Sequence, residues 1–221
     1  MSKTTKAKKA AKDPKSEIDH QYWHLLLTEG KRPASVYAFT QQIGIDEAEF
    51  YNHAASFDAL EAAYWEQLVT ETIDVLESDE DYASYDSEQK LLAFFYTFFA
   101  HAQKNRSRLV SFFPRPGANK TIALMRRKFL DWAKSVIEQG VEEGSVADRK
   151  KLTEKYPQLL FEQFRGIIEF HRKDQSHEFQ DTDALIEKSV RFGADVARAG
   201  TLDSAFDLGR FLLRRFTVPR S

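Results

Sequence analysis

The chain has 221 residues, 42% of them hydrophobic and 13% aromatic, with only 9 Gly and 6 Pro, a composition that excludes collagen-like and wholly disordered chains. It contains no cysteine, which removes disulfide frameworks, thiolate metal sites, iron–sulfur clusters and cysteine nucleophiles. The formal charge is −2 but is unevenly spread: residues 1–15 carry Lys3, Lys6, Lys8, Lys9, Lys12 and Lys15 against Asp13 alone (+5), while residues 16–64 carry Lys31 and Arg32 against eight carboxylates (−6).

Helical spacing of apolar residues recurs along almost the whole chain, and no stretch of strict alternation is bounded by hairpin turns, so an all-α fold is expected. Residues 1–15 read as a disordered basic arm. The first helix is expected over 17–29, with Ile18, Tyr22, Leu25 and Leu26 on one face and Gly30 as its stop. A short helix over 35–42 turns Val36 and Phe39 inward and closes at Gly44. Asp46 then opens another, with Glu49 three residues on in capping-box spacing. A longer helix over 58–76 ends in the acidic stretch 78–86. The next, 87–104, holds a block of Phe94, Phe95, Tyr96, Phe98 and Phe99. Pro114, Pro116 and Gly117 break the chain, and helical spacing resumes over 119–139 with Gly140 and Gly144 at its exit. Further helices are expected over 150–173, bent or restarted at Pro157, then 182–199 and 202–216. The longest apolar run, 91–102, is broken by Tyr96, Thr97 and His101 and falls short of the roughly 18 residues of a membrane span. The N-terminus has no apolar signal core, so the expected address is the cytoplasm.

Residues 35–63 have the architecture of a helix-turn-helix followed directly by a longer helix. Gly44 and Ile45 lie in the turn; Ala48, Phe50, Tyr51, Asn52 and His53 follow, and then Ser56, Phe57, Asp58 and Leu60. This register resembles the TetR family of transcriptional regulators, in which a small residue, a hydrophobe, Tyr and a ring-bearing residue precede an S-K-acid-x-L stretch. The segment from Ile137 through Gln139 and Gly140 to Gly144 looks like a turn between core helices of that family. The resemblance implies a helix-turn-helix head over 16–57, a helical ligand-binding and dimerisation domain over 58–217, and a homodimer joined by its last core helices, such as 182–199 with Leu185, Ile186, Val190, Phe192 and Val196. It further implies that double-stranded DNA is met by Ser35, Ala48, Tyr51, Asn52 and His53, with Ser35 and Tyr51 on phosphate and Asn52 or His53 nearest the base edges.

Two departures from the pattern concern DNA. Phe57 stands where family members carry a phosphate-binding lysine, and the recognition helix opens with Asp46, Glu47 and Glu49. The charge of −6 over residues 16–64 repels a duplex unless the arm lysines compensate. A second resemblance, to TetR-fold lipid-binding proteins of ubiquinone biosynthesis, accommodates both departures. It implies a retired head and a terminal amphipathic helix, here 205–216 with Arg210, Arg214 and Arg215, that meets a membrane surface.

The concentrated aromatic mass also suggests a pocket for a small apolar ligand of acyl, isoprenoid or aromatic chemistry, lined by Phe94, Phe95, Phe98, Phe99, Phe112, Trp132, Phe161 and Phe164. His20 and His24 have metal-compatible i, i+4 spacing but no HExxH or further ligand pattern, so no metal or other cofactor is expected. No nucleophile elbow, phosphate loop or dinucleotide glycine fingerprint is present, and an enzyme is not expected.

Overall fold

A computed structural model describes residues 14–114 and 119–198; the arm up to residue 13 and the helix expected over 202–216 lie outside these. Among the described residues there are nine α-helices and no strand, as the spacing predicts. They are α1 (Pro14–Glu29), α2 (Val36–Ile43), α3 (Glu47–His53), α4 (Phe57–Glu77), α5 (Ser87–Gln103), α6 (Arg106–Phe112), α7 (Asn119–Glu142), α8 (Tyr156–His171) and α9 (Gln180–Ala197). The first three make the head, and α4 leads into a body in which α4 and α5 pack on α7, while α8 and α9 pack on each other and on α7 and α5 respectively. One apolar core runs through both parts, from Ile18 and Tyr22 in α1 to Ile186 and Val190 in α9.

Local chemistry accounts for most boundaries. The Ser35 hydroxyl accepts from Ala38 N and starts α2; Ser56 does the same for α4 through Ala59 N. Gly44 ends α2 at φ +73°, a left-handed conformation that costs a residue with a Cβ roughly 1–2 kcal/mol. The capping box expected at Asp46 does not form: Asp46 makes no side-chain cap bond, and Glu49 N donates to the Asp46 carbonyl instead. A reciprocal box forms at Asp86, where Asp86 Oδ1 accepts from Gln89 N at 2.8 Å and Gln89 Oε1 accepts from Asp86 N at 3.0 Å.

Several boundaries differ from the sequence expectation; the helix expected over 150–173 starts only at Tyr156, with Pro157 in its opening turn. The first helix begins at Pro14, so Lys15 belongs to it rather than to the arm; proline suits an opening position because its missing N–H has no helical partner there. Helix α7 runs through Gly140 to Glu142, and it is Gly144, at φ +76°, that follows its end. Gly140 serves closeness rather than termination: a Cβ there would lie 2.7 Å from Val146 Cγ2 and 3.0 Å from Ser87 Oγ. The stretch that resembled an interhelical turn is therefore mostly the last turns of α7. Helix α6, seven residues long, has too few turns to show a period and went unread in the sequence.

Candidate nucleic-acid interface and apolar groove

The head is built around rings. Phe39 of α2 and Phe50 of α3 are fully buried and meet edge to face, 6.0 Å between centroids. Their burial leaves the other faces of the two short helices to solvent. Ser35, Ala48, Tyr51, Asn52 and His53 are all exposed, Tyr51 at 53%. Tyr37 joins them at 60% exposure. It was missed in the sequence, although two residues from inward Phe39 on a helix is a position pointing away from the core. Large exposed aromatics with hydroxyl tips on two consecutive short helices are suited to a polar, wet partner.

Phe57, at the family's lysine position, is part of the head's core. Its ring stacks on Tyr22 at 5.0 Å and meets Phe39 and Phe50 edge to face at 5.8 and 5.6 Å. Arg32 is also committed internally. Its Nε and Nη2 donate to the two carboxylate oxygens of Glu61 at 2.8 and 2.7 Å, and Nη2 lies 2.7 Å from Asp58 Oδ1. The Tyr22 hydroxyl donates to Glu61 Oε1 at 2.5 Å; its burial and this carboxylate hold the phenol well above its usual pKa. The loop before α2, helix α1 and helix α4 are thereby fastened at one buried carboxylate. Arg32→Ala leaves Glu61 with the Tyr22 hydroxyl as its donor, while the half-exposed place of the arginine lets water reach the carboxylate, and is expected to cost about 2 kcal/mol in chemical denaturation. A loss under about 0.5 kcal/mol, the size of an exposed pair, would show the fastening to be incidental.

Helix α6 ties the head to the far end of the body. The Arg108 guanidinium lies over the rings of Trp23 and Tyr64, 5.0 and 4.8 Å from their centroids, and Phe112 meets Trp23 at 6.4 Å. At the other side Arg106 Nη1 donates to the His171 carbonyl at 3.1 Å, while Arg172 Nη2 donates to the Val110 carbonyl at 2.7 Å. His171 is buried between Phe99 and Phe179. Thr182 Oγ1 donates to Asp174 Oδ2 at 2.6 Å, so the contact of His171 Nδ1 with Thr182 Oγ1 at 3.2 Å requires the proton on Nδ1. Burial, assisted by the Arg106 charge, pushes this imidazole down to about 4. Burial alone would raise the Asp174 carboxyl, but donors from Thr182 and Ser176 outweigh it and hold the group well below its usual range.

The unfolded imidazole protonates near its ordinary 6.5 and the folded one only near 4, so the unfolded state binds more protons between those values. Stability is expected to fall as pH drops from about 6.5 to 4, by up to about 3 kcal/mol from this group. Urea titrations of the wild type and His171→Gln across that window check it; identical pH slopes would exclude His171 as the source.

The aromatic residues expected to line a pocket pack on one another instead. Phe94 stacks on Trp132 at 4.3 Å, Phe98 meets Phe164 at 4.6 Å, Phe95 meets Phe164 at 5.8 Å, and Phe161 lies 6.4 Å from Phe164. Phe99 packs on His171, and Phe112 sits under the head against Trp23. None of the eight lines the groove of about 370 Å³ that opens between the start of α5, the end of α7, α8 and the last turns of α9. Its walls are chiefly apolar, including Leu91, Ile137, Val146, Leu160 and Val190. His20 and His24 are exposed with parallel rings 6.4 Å apart, and no group of three His, Asp or Glu placed to hold a metal occurs among the described residues. Nor is any helix among them long and apolar enough to cross a membrane.

Solved structures share this architecture, three of them as follows. A protein of unknown function from Rhodococcus sp. RHA1 superposes with a TM-score of 0.59 at 14% identity, covering 85% of this chain and 97% of its own. A bacterial regulatory protein in the TetR family from Rhodococcus RHA1 gives 0.56 at 12%, covering 86% and 100%. A protein from Shewanella sp. PV-4, assigned to the TetR family as a transcription regulator, gives 0.55 at 16%, covering 80% and 98%. At these identities the likeness is one of fold. No curated protein matches the chain. The family model for the tetracycline repressor-like C-terminal domain matches residues 90–212, more than half of the sequence. With that match on the body, and a helix-turn-helix head before it, the chain belongs to the TetR family.

Proposed function

We propose that the protein is a transcriptional regulator that binds double-stranded DNA through α2 and α3 as a homodimer. The observation that carries this is the exposed row of Ser35, Ala48, Tyr51, Asn52 and His53, extended by Tyr37, on two helices whose other faces are locked into the core. Ser35 and Tyr51 would hold phosphates and Asn52 or His53 would reach base edges, phosphate contacts setting position and base contacts setting sequence. Dimerisation is proposed through the outward faces of α8 and α9. Phe170 and Phe192 are exposed there, and the absent Cβ of Gly166 would meet nothing within 4 Å, which permits close approach of a partner helix. A small apolar ligand of acyl, isoprenoid or aromatic chemistry would act by preferring one spacing of the two heads, through its differential affinity for the two states. The apolar groove is the concave surface proposed for it, and α6 the tie between body and head.

A second reading, a lipid-binding accessory protein with a retired head, is favoured by Phe57 facing the core and by the internal use of Arg32. Fluorescence anisotropy with pooled genomic duplexes at low salt separates the two. Binding that selects a subset of fragments and is weakened at least about tenfold by Tyr51→Ala supports the regulator. Failure of the wild-type dimer to retain any fragment, together with retention on lipid vesicles, supports the second reading. Sedimentation is expected to give a dimer at micromolar concentration.

A further inference from the structure

Head and body meet over a second hollow, of about 280 Å³, which shares no residue with the apolar groove. Its walls come from both sides of the joint: Trp23 from α1, Tyr64 and Leu68 from α4, His101 from α5 and Arg108 from α6. Five buried side-chain nitrogens lack a hydrogen-bond partner among the described residues, and three of them belong to this wall: Trp23 Nε1, His101 Nδ1 and Arg108 Nε. Trp23 is only 1% exposed, so water does not make up the deficit there. Indole and guanidinium nitrogens can only donate, and an imidazole nitrogen can. Native proteins keep few buried donors without an acceptor. Three, brought by three helices to one hollow, call for a guest that carries acceptor oxygens.

The charges on the wall narrow that guest further. The Arg108 guanidinium is held over the Trp23 and Tyr64 rings, 5.0 and 4.8 Å from their centroids, and it makes no ion pair among the described residues. A planar guanidinium fixed in this way suits a carboxylate, which takes two parallel N–H bonds from it. Lys104 adds a second positive charge at the exposed rim. Asp19 and Glu71 also line the hollow, and Glu71 accepts from Gln67 Nε2 at 2.7 Å. Two cations are thus set against two carboxylates, an even balance that accepts one negative charge and opposes the second charge of a phosphate dianion. Leu68 and the two rings supply an apolar wall, and the volume is close to the lower end of small-molecule sites, roughly 300 Å³.

We propose that this hollow is a binding site for a small aromatic monocarboxylate, whose carboxylate meets Arg108 and Lys104 and accepts from the buried donors while its ring lies against Leu68 and Tyr64. The site is distinct from the apolar groove in place and in chemistry. Because α1 belongs to the head and α5 and α6 to the body, a guest here bridges the two and biases the angle between them, so its occupancy is a second input to the head. The proposal stands whether or not the head binds DNA.

Titration calorimetry of the full-length protein without DNA tests it, with benzoate as the probe and benzamide and inorganic phosphate for comparison. Benzoate is expected to bind with a dissociation constant below about 1 mM, at least about tenfold tighter than either of the others. Arg108→Gln should weaken it at least about tenfold, and Trp23→Phe, which deletes Nε1 and keeps a ring, about fivefold. Should either variant fail to melt cooperatively, Lys104→Gln at the exposed rim takes its place, with a loss of about threefold expected. The location is read independently from the indole N–H signals of isotope-labelled protein, where the Trp23 signal, assigned by its absence from Trp23→Phe or by sequential assignment, is expected to move downfield with benzoate while that of Trp132 stays. No heat with benzoate up to about 10 mM overturns the proposal, as does equal or tighter binding of benzamide or phosphate. So does bound benzoate that leaves the Trp23 signal in place, since the guest then sits elsewhere, or binding that all the folded variants retain in full.

Discussion

Phe95→Asp is expected to leave no folded body at all. Phe95 is fully buried, its ring edge to face with Phe94 at 5.8 Å and tilted against Phe164 at the same distance. An aromatic ring of this kind removes roughly 150–250 Å² from water, and its replacement both empties that volume and places a carboxylate among carbon atoms. Large-to-small loss alone is worth about 3–5 kcal/mol and the buried charge adds to it, against a total stability of about 5–15 kcal/mol for a domain. Circular dichroism should show a chain with no cooperative melt, and Phe95→Leu, a volume loss without charge, should still melt sharply at reduced temperature. A sharp melt from Phe95→Asp near the wild-type temperature would mean that the ring faces open space, and would return a ligand cavity to the middle of α5.

Removal of residues 1–15 is expected to have the second largest effect, on DNA. The described head has Lys15, Lys31 and Arg32 as its Lys and Arg complement, and Arg32 is paired with Glu61 and Asp58. Five lysines precede the described residues at positions 3, 6, 8, 9 and 12. Each phosphate contact contributes about 0.9 to the slope of log affinity against log salt, so loss of several should flatten that slope by about 3 or more and lower affinity at least about a hundredfold at moderate salt. Titrations of wild-type and shortened chains at three salt concentrations measure both. An unchanged slope would move the phosphate contacts to the acidic head itself, which has little charge to make them.

The fold was legible because its cause is periodic. Tyr22 and Phe39 fall on the apolar faces expected for α1 and α2 and meet in space, whereas the side-chain caps form at Ser35, Ser56 and Asp86 and not at Asp46, where one was expected. The row of Ser35, Ala48, Tyr51, Asn52 and His53 came from the family register instead, and Tyr37 was missed although it stands two residues from inward Phe39. What could not be read is which of two apolar surfaces a ring meets. Phe94, Phe98 and Phe129 could line a cavity or fill it with one another, and the choice depends on α5, α7 and α8 converging, which no local pattern encodes. Helix α6 escaped for a related reason: its seven residues are fixed by Arg106, Arg108 and Arg172 contacts to distant elements rather than by a period of their own.

The fastening of Arg32 and Tyr22 to Glu61, with Phe57 packed among the head's rings, also has a mechanical consequence. The first turns of α4 cannot swivel beneath the head without breaking the bonds of Arg32 and Tyr22 to the buried Glu61 carboxylate, so the head is expected to travel with α4 as one lever. That helix has 21 residues and is about 31 Å long. Pivoted at its end in the body, a tilt of roughly 5° carries its far end through about 3 Å. In a dimer the two levers move apart or together, so their tips change separation by about twice that, against half-sites spaced about 34 Å along a duplex. In the regulator proposed above, a small repacking around α7 and α8 would thereby become a displacement larger than a hydrogen bond can follow, with the stiffness of the lever resting on Glu61.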